Sequence, residues 1–272
     1  RKKQFKKNIK QMQLICAMGP TGGGRSNISN RLKSRFNQIN ICFPSDSQLK
    51  RIFGTLLKHR LENIEDLKKL TDLITQSTID IYKMVIKEYL PKPNTIHYVF
   101  NLRDLSKVFE GIIQADHESM DSTDQLKKLW VHECFRVFHD RFNNDEHRKS
   151  FKEKMTEKLL NVFETKWKRL YGSDDAMPHM FGRLLSPQYQ EMSDMNKLKQ
   201  VLMDALKDYN NTPGNTPMNL VMFNDAIQHL SRIHRIITQA RGHALLIGVG
   251  GSGRQSLTKL AAHIAEIEVF QI

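Results

Sequence analysis

Cysteine is scarce in this chain: three in 272 residues (Cys16, Cys42 and Cys134), and no two stand in a Cys-x-x-Cys pair. That spacing argues against a disulfide scaffold and a zinc site, and it predicts a reducing, intracellular compartment. Long apolar runs are missing as well. No stretch reaches the roughly 18 apolar residues of a membrane span. The basic opening Arg1-Lys2-Lys3-Gln4-Phe5-Lys6-Lys7 has no apolar segment behind it, so a secretory signal is not expected. Acidic residues are nearly absent from the first 60 positions, which hold fourteen Lys and Arg against Asp46 alone. The rest of the chain carries 28 charges of each sign, so the net charge of +13 is a regional feature. Such a patch suits an anionic partner, whether nucleic acid, a phosphate-bearing ligand or an acidic protein surface. The plainer reading is a solvated basic face.

What is present describes a globular chain, 39% hydrophobic and 26% charged, long enough for one or two domains with a real core. Residues 11–18 form a short apolar run that enters the loop Gly19-Pro20-Thr21-Gly22-Gly23-Gly24-Arg25. A strand is predicted there, then a short basic helix at 28–36 and a second strand at 38–43. Pro44-Ser45-Asp46 supplies a helix start, with Leu49, Ile52, Phe53, Leu56, Leu57 and Leu61 at helical spacing. The middle is almost wholly helical by the same criterion, over 67–89, 102–113, 126–142 and 151–167. Residues 172–190 read as a linker. Helices are predicted again at 195–206 and 220–240, separated by the turn cluster Asn210-Asn211-Thr212-Pro213-Gly214-Asn215-Thr216-Pro217. Strands are expected at 244–247 and 268–272. The fold class is therefore mixed α/β and all-α: the end of one α/β unit, a helical middle and the opening of a second α/β unit. Both ends read as cut, as in a fragment.

The segment Ile247-Gly248-Val249-Gly250-Gly251-Ser252-Gly253-Arg254-Gln255-Ser256-Leu257 carries the clearest chemistry. An apolar run, a glycine-dense turn and a helix start aim backbone N–H groups at phosphate oxygens. The phosphate-binding template asks for Gly, four residues, then Gly-Lys-Ser/Thr. Gly248 and Gly253 fit it, but Arg254 stands in place of lysine and Gln255 in place of the hydroxyl that ligates Mg²⁺. Ser256 has a hydroxyl, one position and about 100° further round the helix. These letters predict nucleotide binding without efficient hydrolysis, against the alternative of a glycine turn that binds nothing. His132-Glu133-Cys134-Phe135-Arg136 falls short of the zinc helix His-Glu-x-x-His, because Arg136 occupies the second ligand position. A packed, ion-paired helix is predicted there, and Trp130 and Trp167 are assigned to the core.

Several strings, in order, carry a family resemblance. They are Ala17-Met18-Gly19-Pro20-Thr21-Gly22-Gly23-Gly24-Arg25, His97-Tyr98-Val99-Phe100-Asn101-Leu102-Arg103-Asp104-Leu105-Ser106, Leu129-Trp130-Val131-His132-Glu133-Cys134-Phe135-Arg136-Val137-Phe138, and Met218-Asn219-Leu220-Val221-Met222-Phe223, followed by the glycine loop. Across essentially its whole length the chain resembles a dynein heavy chain of the axonemal (ciliary) subclass. The resemblance implies partial AAA+ P-loop modules: residues 1–60 from the third module's large subdomain, 61–190 as its helical small (lid) subdomain, and 191–272 as the start of the fourth module.

It also implies ATP or ADP as ligand at Gly248, Gly250, Gly251, Ser252, Gly253, Arg254, Gln255 and Ser256. Mg²⁺ is possible, without a good ligand at position 255. Arg31 and Arg35 become arginine-finger candidates for a neighbouring γ-phosphate, and Arg103 a second-sensor candidate. The bland alternatives are two solvated arginines on a short helix, and an Arg103 that pairs with Asp104 or a neighbouring helix. Gly19 departs from the asparagine that many AAA+ modules carry at the first sensor, which weakens the case for hydrolysis in the third module. Implied partners are the other modules of the same heavy chain, dynein intermediate and light chains, and microtubules, in the cytoskeleton of a cilium or flagellum; nucleic acid and membrane are not expected. The rival is a non-catalytic basic module using residues 1–36, where Phe5 and Phe36 are the only aromatic residues to stack on bases.

Overall fold

A computed structural model describes residues 9–19, 27–61, 65–115, 120 and 122–271. Two units are distinguished, Arg1–Phe43 and Pro44–Ile272. The predicted loop from Pro20 to Arg25 and the lysines at positions 2, 3, 6 and 7 lie outside the described residues.

In the first unit the only regular element among the described residues is a one-turn helix, α1 (Asn30–Lys33), capped by the Ser29 side chain on the Leu32 amide. The basic helix expected over 28–36 is thus shortened to four residues followed by a turn. Residues 11–18 and 38–43 are irregular, not strands. Their apolar side chains stand in the open, Ile15 at 96% exposure and Ile41 at 89%. The reason is pairing: a lone strand leaves its backbone ladder unmade, and no partner lies beside these segments among the described residues.

The second unit is a helical bundle that runs into a smaller three-helix group. Its helices are α2 (Asp46–Arg60), α3 (Glu65–Glu88), α4 (Leu102–Ile113), α5 (Thr123–Val137), α6 (Asp145–Phe163), α7 (Trp167–Tyr171), α8 (Met195–Asn211), α9 (Asn224–Ile237) and α10 (Arg254–Ile264). Local chemistry sets the starts. Ser45 and Gln48 form a reciprocal capping box on α2, and Asn101 and Asp104 form another on α4. The helix expected over 126–142 ends at Val137 and continues as a 3-10 turn, His139–Arg141. That expected over 151–167 breaks at Glu164, which adopts left-handed geometry at φ 50° and separates α6 from α7.

Helices α2 to α7 enclose one core, built around Trp130, Phe109, Phe138, Phe151 and Trp167. Phe53 of α2 stacks on Phe109 of α4 with ring centroids 4.6 Å apart. The Trp130 indole donates to the Thr78 hydroxyl at 2.9 Å, so the largest buried side chain is also satisfied. Helices α8, α9 and α10 form a second core around Leu198, Leu202, Leu230 and Leu260.

Between the cores lies the one sheet among the described residues, an antiparallel pair of β1 (Met180–Gly182) and β2 (Gln190–Met192). It falls where a linker was expected, and its residues serve both sides: Phe181 and Tyr189 join the first core, Leu184 and Met192 the second. Residues 244–247 and 268–271 are irregular, against the expectation of strands, and again exposed, with Leu245 and Ile247 both at 86%. The four predicted strands are thus absent among the described residues, whose one sheet is the β1–β2 pair.

Candidate functional site

The glycine loop leads into α10 as the sequence requires. Gly251 and Gly253 take positive φ, 77° and 75°, where a side chain would be strained. A Cβ at either would meet nothing within 4 Å, so the space over the loop is open. Gly253 is the N-cap of α10 and offers no side chain to the first turn. The amides of Arg254, Gln255 and Ser256 thus begin a helix without a side-chain cap, with the positive end of its dipole turned to the loop.

Arg254 folds back over that loop and donates to the Val249 carbonyl at 3.2 Å. Gln255 is exposed, and Ser252 is exposed beside it. Leu257, Leu260 and Ala261 anchor the helix in the second core against α8 and α9. Chemically the arrangement presents uncapped amides and a nearby guanidinium, groups that can donate to an anion. Its donors fit a nucleotide's phosphates, and nothing at position 255 can donate a hydroxyl to Mg²⁺.

Arg103 projects exposed from the first turn of α4. Its expected partner Asp104 is engaged elsewhere: Arg141 lies 3.0 Å away and Lys107 3.7 Å, and the carboxylate also accepts from the Asn101 amide at 3.0 Å. Arg31 and Arg35 are exposed on and just after α1. The sequence-predicted site residues therefore fall into two groups, the contiguous loop Gly248–Ser256 and three separate exposed arginines. Gly19 lies at the end of an irregular segment.

A denser arrangement, missed from sequence, lies where α5 meets α9. Glu133 is wholly buried; it accepts from Arg136 Nε at 2.6 Å and from the Tyr189 hydroxyl at 2.6 Å. Burial alone would raise its carboxyl, but Arg136, His132, Arg235 and the Tyr189 hydroxyl hold it below the usual carboxylate range. This is the packed, ion-paired helix expected in place of a zinc helix. Across the gap, Arg232 of α9 reaches Asp140 at 3.1 Å. On the far side of β2, Glu191 accepts from Lys128 of α5 at 2.9 Å and pairs with His179. Arg235 sits on α9 at the register of Ile227 and Ser231, both buried, and that placement of a charge on an apolar stripe was the available signal.

Three family models match the chain: "P-loop containing dynein motor region" over residues 1–44, "Dynein heavy chain, ATPase lid domain" over 54–148, and "P-loop containing dynein motor region D4" over 218–272. Dynein axonemal heavy chain 2 of Homo sapiens is 44% identical over 275 aligned residues, covering 100% of this chain. The chain belongs to the axonemal dynein heavy chain family. The Chlamydomonas reinhardtii dynein-1-beta heavy chain of the flagellar inner arm I1 complex is 43% identical over 98% of this dynein chain. The ciliary dynein beta chain of Tripneustes gratilla is 37% identical over all of it. This dynein chain spans only 6% of the length of each of these relatives, and what it comprises is a segment of the motor region. Helices α3 to α5 lie within the lid match, α2 and the first turn of α6 overlap its ends, and the glycine loop lies inside the D4 match.

Proposed function

We propose that this chain is part of the ATP-driven, microtubule-directed motor ring of an axonemal dynein heavy chain, where it holds nucleotide at Gly248–Ser256 and couples two neighbouring AAA+ modules. The observation that carries the reading is the uncapped start of α10 behind two left-handed glycines, under open space, inside the D4 match. The amides of Arg254, Gln255 and Ser256 would hold the phosphates, and the Arg254 guanidinium would add charge after leaving the Val249 carbonyl. A bound ATP supplies binding energy that differs from that of ADP by one phosphate. Gln255 offers no hydroxyl to Mg²⁺, so the loop serves binding and signalling better than turnover.

The module assignment is part of the same proposal: the end of the third module's large subdomain, its lid, then the fourth module. Under it, the exposed apolar segments at 11–18, 38–43, 244–247 and 268–271 pair with strands elsewhere in the heavy chain, which explains why they stand open here. Arg31, with Arg35 as second choice, would act on a neighbouring module's γ-phosphate, and Arg103 on its own module's nucleotide. The salt bridge from Arg232 to Asp140 gives the lid a direct hold on the following module. Other modules, intermediate and light chains and microtubules are the partners, and the cilium or flagellum is the setting. Nothing in the comparisons favours the rival nucleic-acid or basic-module reading of residues 1–36.

The test is photolabelling of the heavy-chain motor with azido-ATP and azido-ADP, followed by peptide mapping. Label should appear in peptides spanning residues 242–264 and fall several-fold in Arg254→Ala. Absence of label there, with label present at other modules, would sink the proposal.

A further inference from the structure

The cleft between α5 and α9 holds more positive charge than its own acids neutralise. Three arginines line it, Arg136, Arg232 and Arg235, facing a single lining acid, Asp140. Arg232 pairs with Asp140 at 3.1 Å, and Arg136 is committed to the buried Glu133 at 2.6 Å. That leaves the Arg235 guanidinium, on a residue only 7% exposed, as the surplus charge. Its Nη1 atom is buried and has no hydrogen-bond partner. The His132 Nε2 atom, lining the same cleft, is likewise buried without one. A buried, unpaired cation of this kind is strongly unfavourable unless something answers it.

We propose that this cleft is a binding site for a small monocarboxylate. The cavity is about 80 Å³, room for a group larger than one water. One net positive charge matches one negative charge. A phosphate dianion would leave an excess beside Asp140. A planar carboxylate suits the guanidinium fork and leaves an oxygen for an Nε2-protonated His132. Gln228 and Ser231 add polar groups on the α9 side, while Phe135, Met177, Met180 and Phe181 make the opposite wall apolar, which fits a short aliphatic stem better than a spherical halide. Because α5 belongs to the lid match and α9 to the D4 match, such a ligand bridges the two.

Hydrogen–deuterium exchange on the heavy-chain motor reads this locally, in peptides covering residues 126–141 and 224–237. Propionate, compared with chloride at equal ionic strength and pH, should slow exchange there saturably and several-fold, with acetate weaker. Arg235→Met should abolish the saturable slowing. His132→Phe, which keeps the ring volume and serves if Arg235→Met does not fold, should weaken it several-fold. The proposal is overturned if propionate has no local effect, if chloride or phosphate matches it, or if both variants respond like the parent.

Discussion

Arg141 Nη1 lies 3.0 Å from Asp104 Oδ1, and the same guanidinium donates to the carbonyls of Val99 at 2.7 Å and His97 at 3.2 Å. One side chain, reaching back from the turn after α5, therefore fixes both the extended stretch before α4 and the first turn of α4. It also lies over the Phe100 ring, 4.4 Å from its centroid. Arg103, the second-sensor candidate, takes its position from this clamp while making none of these contacts.

Replacing Arg141 by Met should therefore loosen the start of α4 more than its surface location suggests. Asp104 would lose its main partner while remaining buried, and two carbonyls would lose a charged donor. A destabilisation of about 2 to 3 kcal/mol is expected, between the cost of a lost charged hydrogen bond and that of a broken buried pair. Urea unfolding measures it. Arg103→Met, by contrast, should leave the unfolding midpoint within about 0.5 kcal/mol, as exposed substitutions do. A large shift for Arg103→Met would mean that it is structural.

Gly111 of α4 is placed directly against the Glu133 carboxylate. A Cβ at this position would stand 1.9 Å from Glu133 Oε2 and 2.1 Å from Cδ. Normally a helical Gly→Ala substitution stabilises by about 1 kcal/mol through propensity. Here the added methyl must displace a wholly buried carboxylate from both Arg136 and Tyr189. Gly111→Ala is expected to destabilise by about 3 to 5 kcal/mol, the range for stranding a buried charge. A rise in the thermal midpoint would refute this reading of the contact.

How much of this was legible in the letters can be read from α4 and from the glycine loop. The helix expected over 102–113 has the observed bounds of α4, and the structure adds the reason, the Asn101 and Asp104 capping box at its start. Pro44-Ser45-Asp46 likewise marked the entry to α2. The turn at Gly248–Gly253 leading into a helix was legible because its glycines are closely spaced, and α10 does start at Arg254 behind the positive φ angles of Gly251 and Gly253. The strands failed for the opposite reason: apolar character at 244–247 is local, but a ladder is a relation between segments. The junction was hidden because Glu133, Tyr189 and Arg235 come from α5, the residue before β2 and α9, with more than ninety residues between the first and the last. Only the arginine on the apolar stripe of α9 hinted at it.

His132 makes stability depend on pH in a testable way. Burial lowers its imidazole from the usual 6.5 to about 4, with the nearby arginines adding to the effect and Glu133 opposing it. The unfolded chain therefore takes up a proton between pH 6.5 and 4 that the folded chain refuses. This contribution is fully present above 6.5 and is lost as pH falls towards 4. Its full size is on the order of 3 kcal/mol. His132→Phe should flatten the stability profile across that window in equilibrium unfolding. An unchanged slope would show that His132 titrates freely in the fold.

Gly253 offers the sharpest test of the loop. Its φ of 75° is the left-handed geometry that lets the chain turn from the loop into α10, and a Cβ there would meet no neighbour. Any effect of Gly253→Val must therefore come from backbone strain and from bulk entering the open space over the loop, not from a clash with the core. The strain costs roughly 1 to 2 kcal/mol, borne locally because Leu257 and Leu260 hold the helix from the other side. The expected outcome is a small loss of stability with a loss of at least tenfold in labelling of residues 242–264 by azido-ATP. Gly214→Ala, at φ 91° and also in open space, supplies the control: similar strain, with labelling unchanged. If both substitutions reduced labelling equally, the loop would be responding to general loosening, and its role as the phosphate cradle would fall.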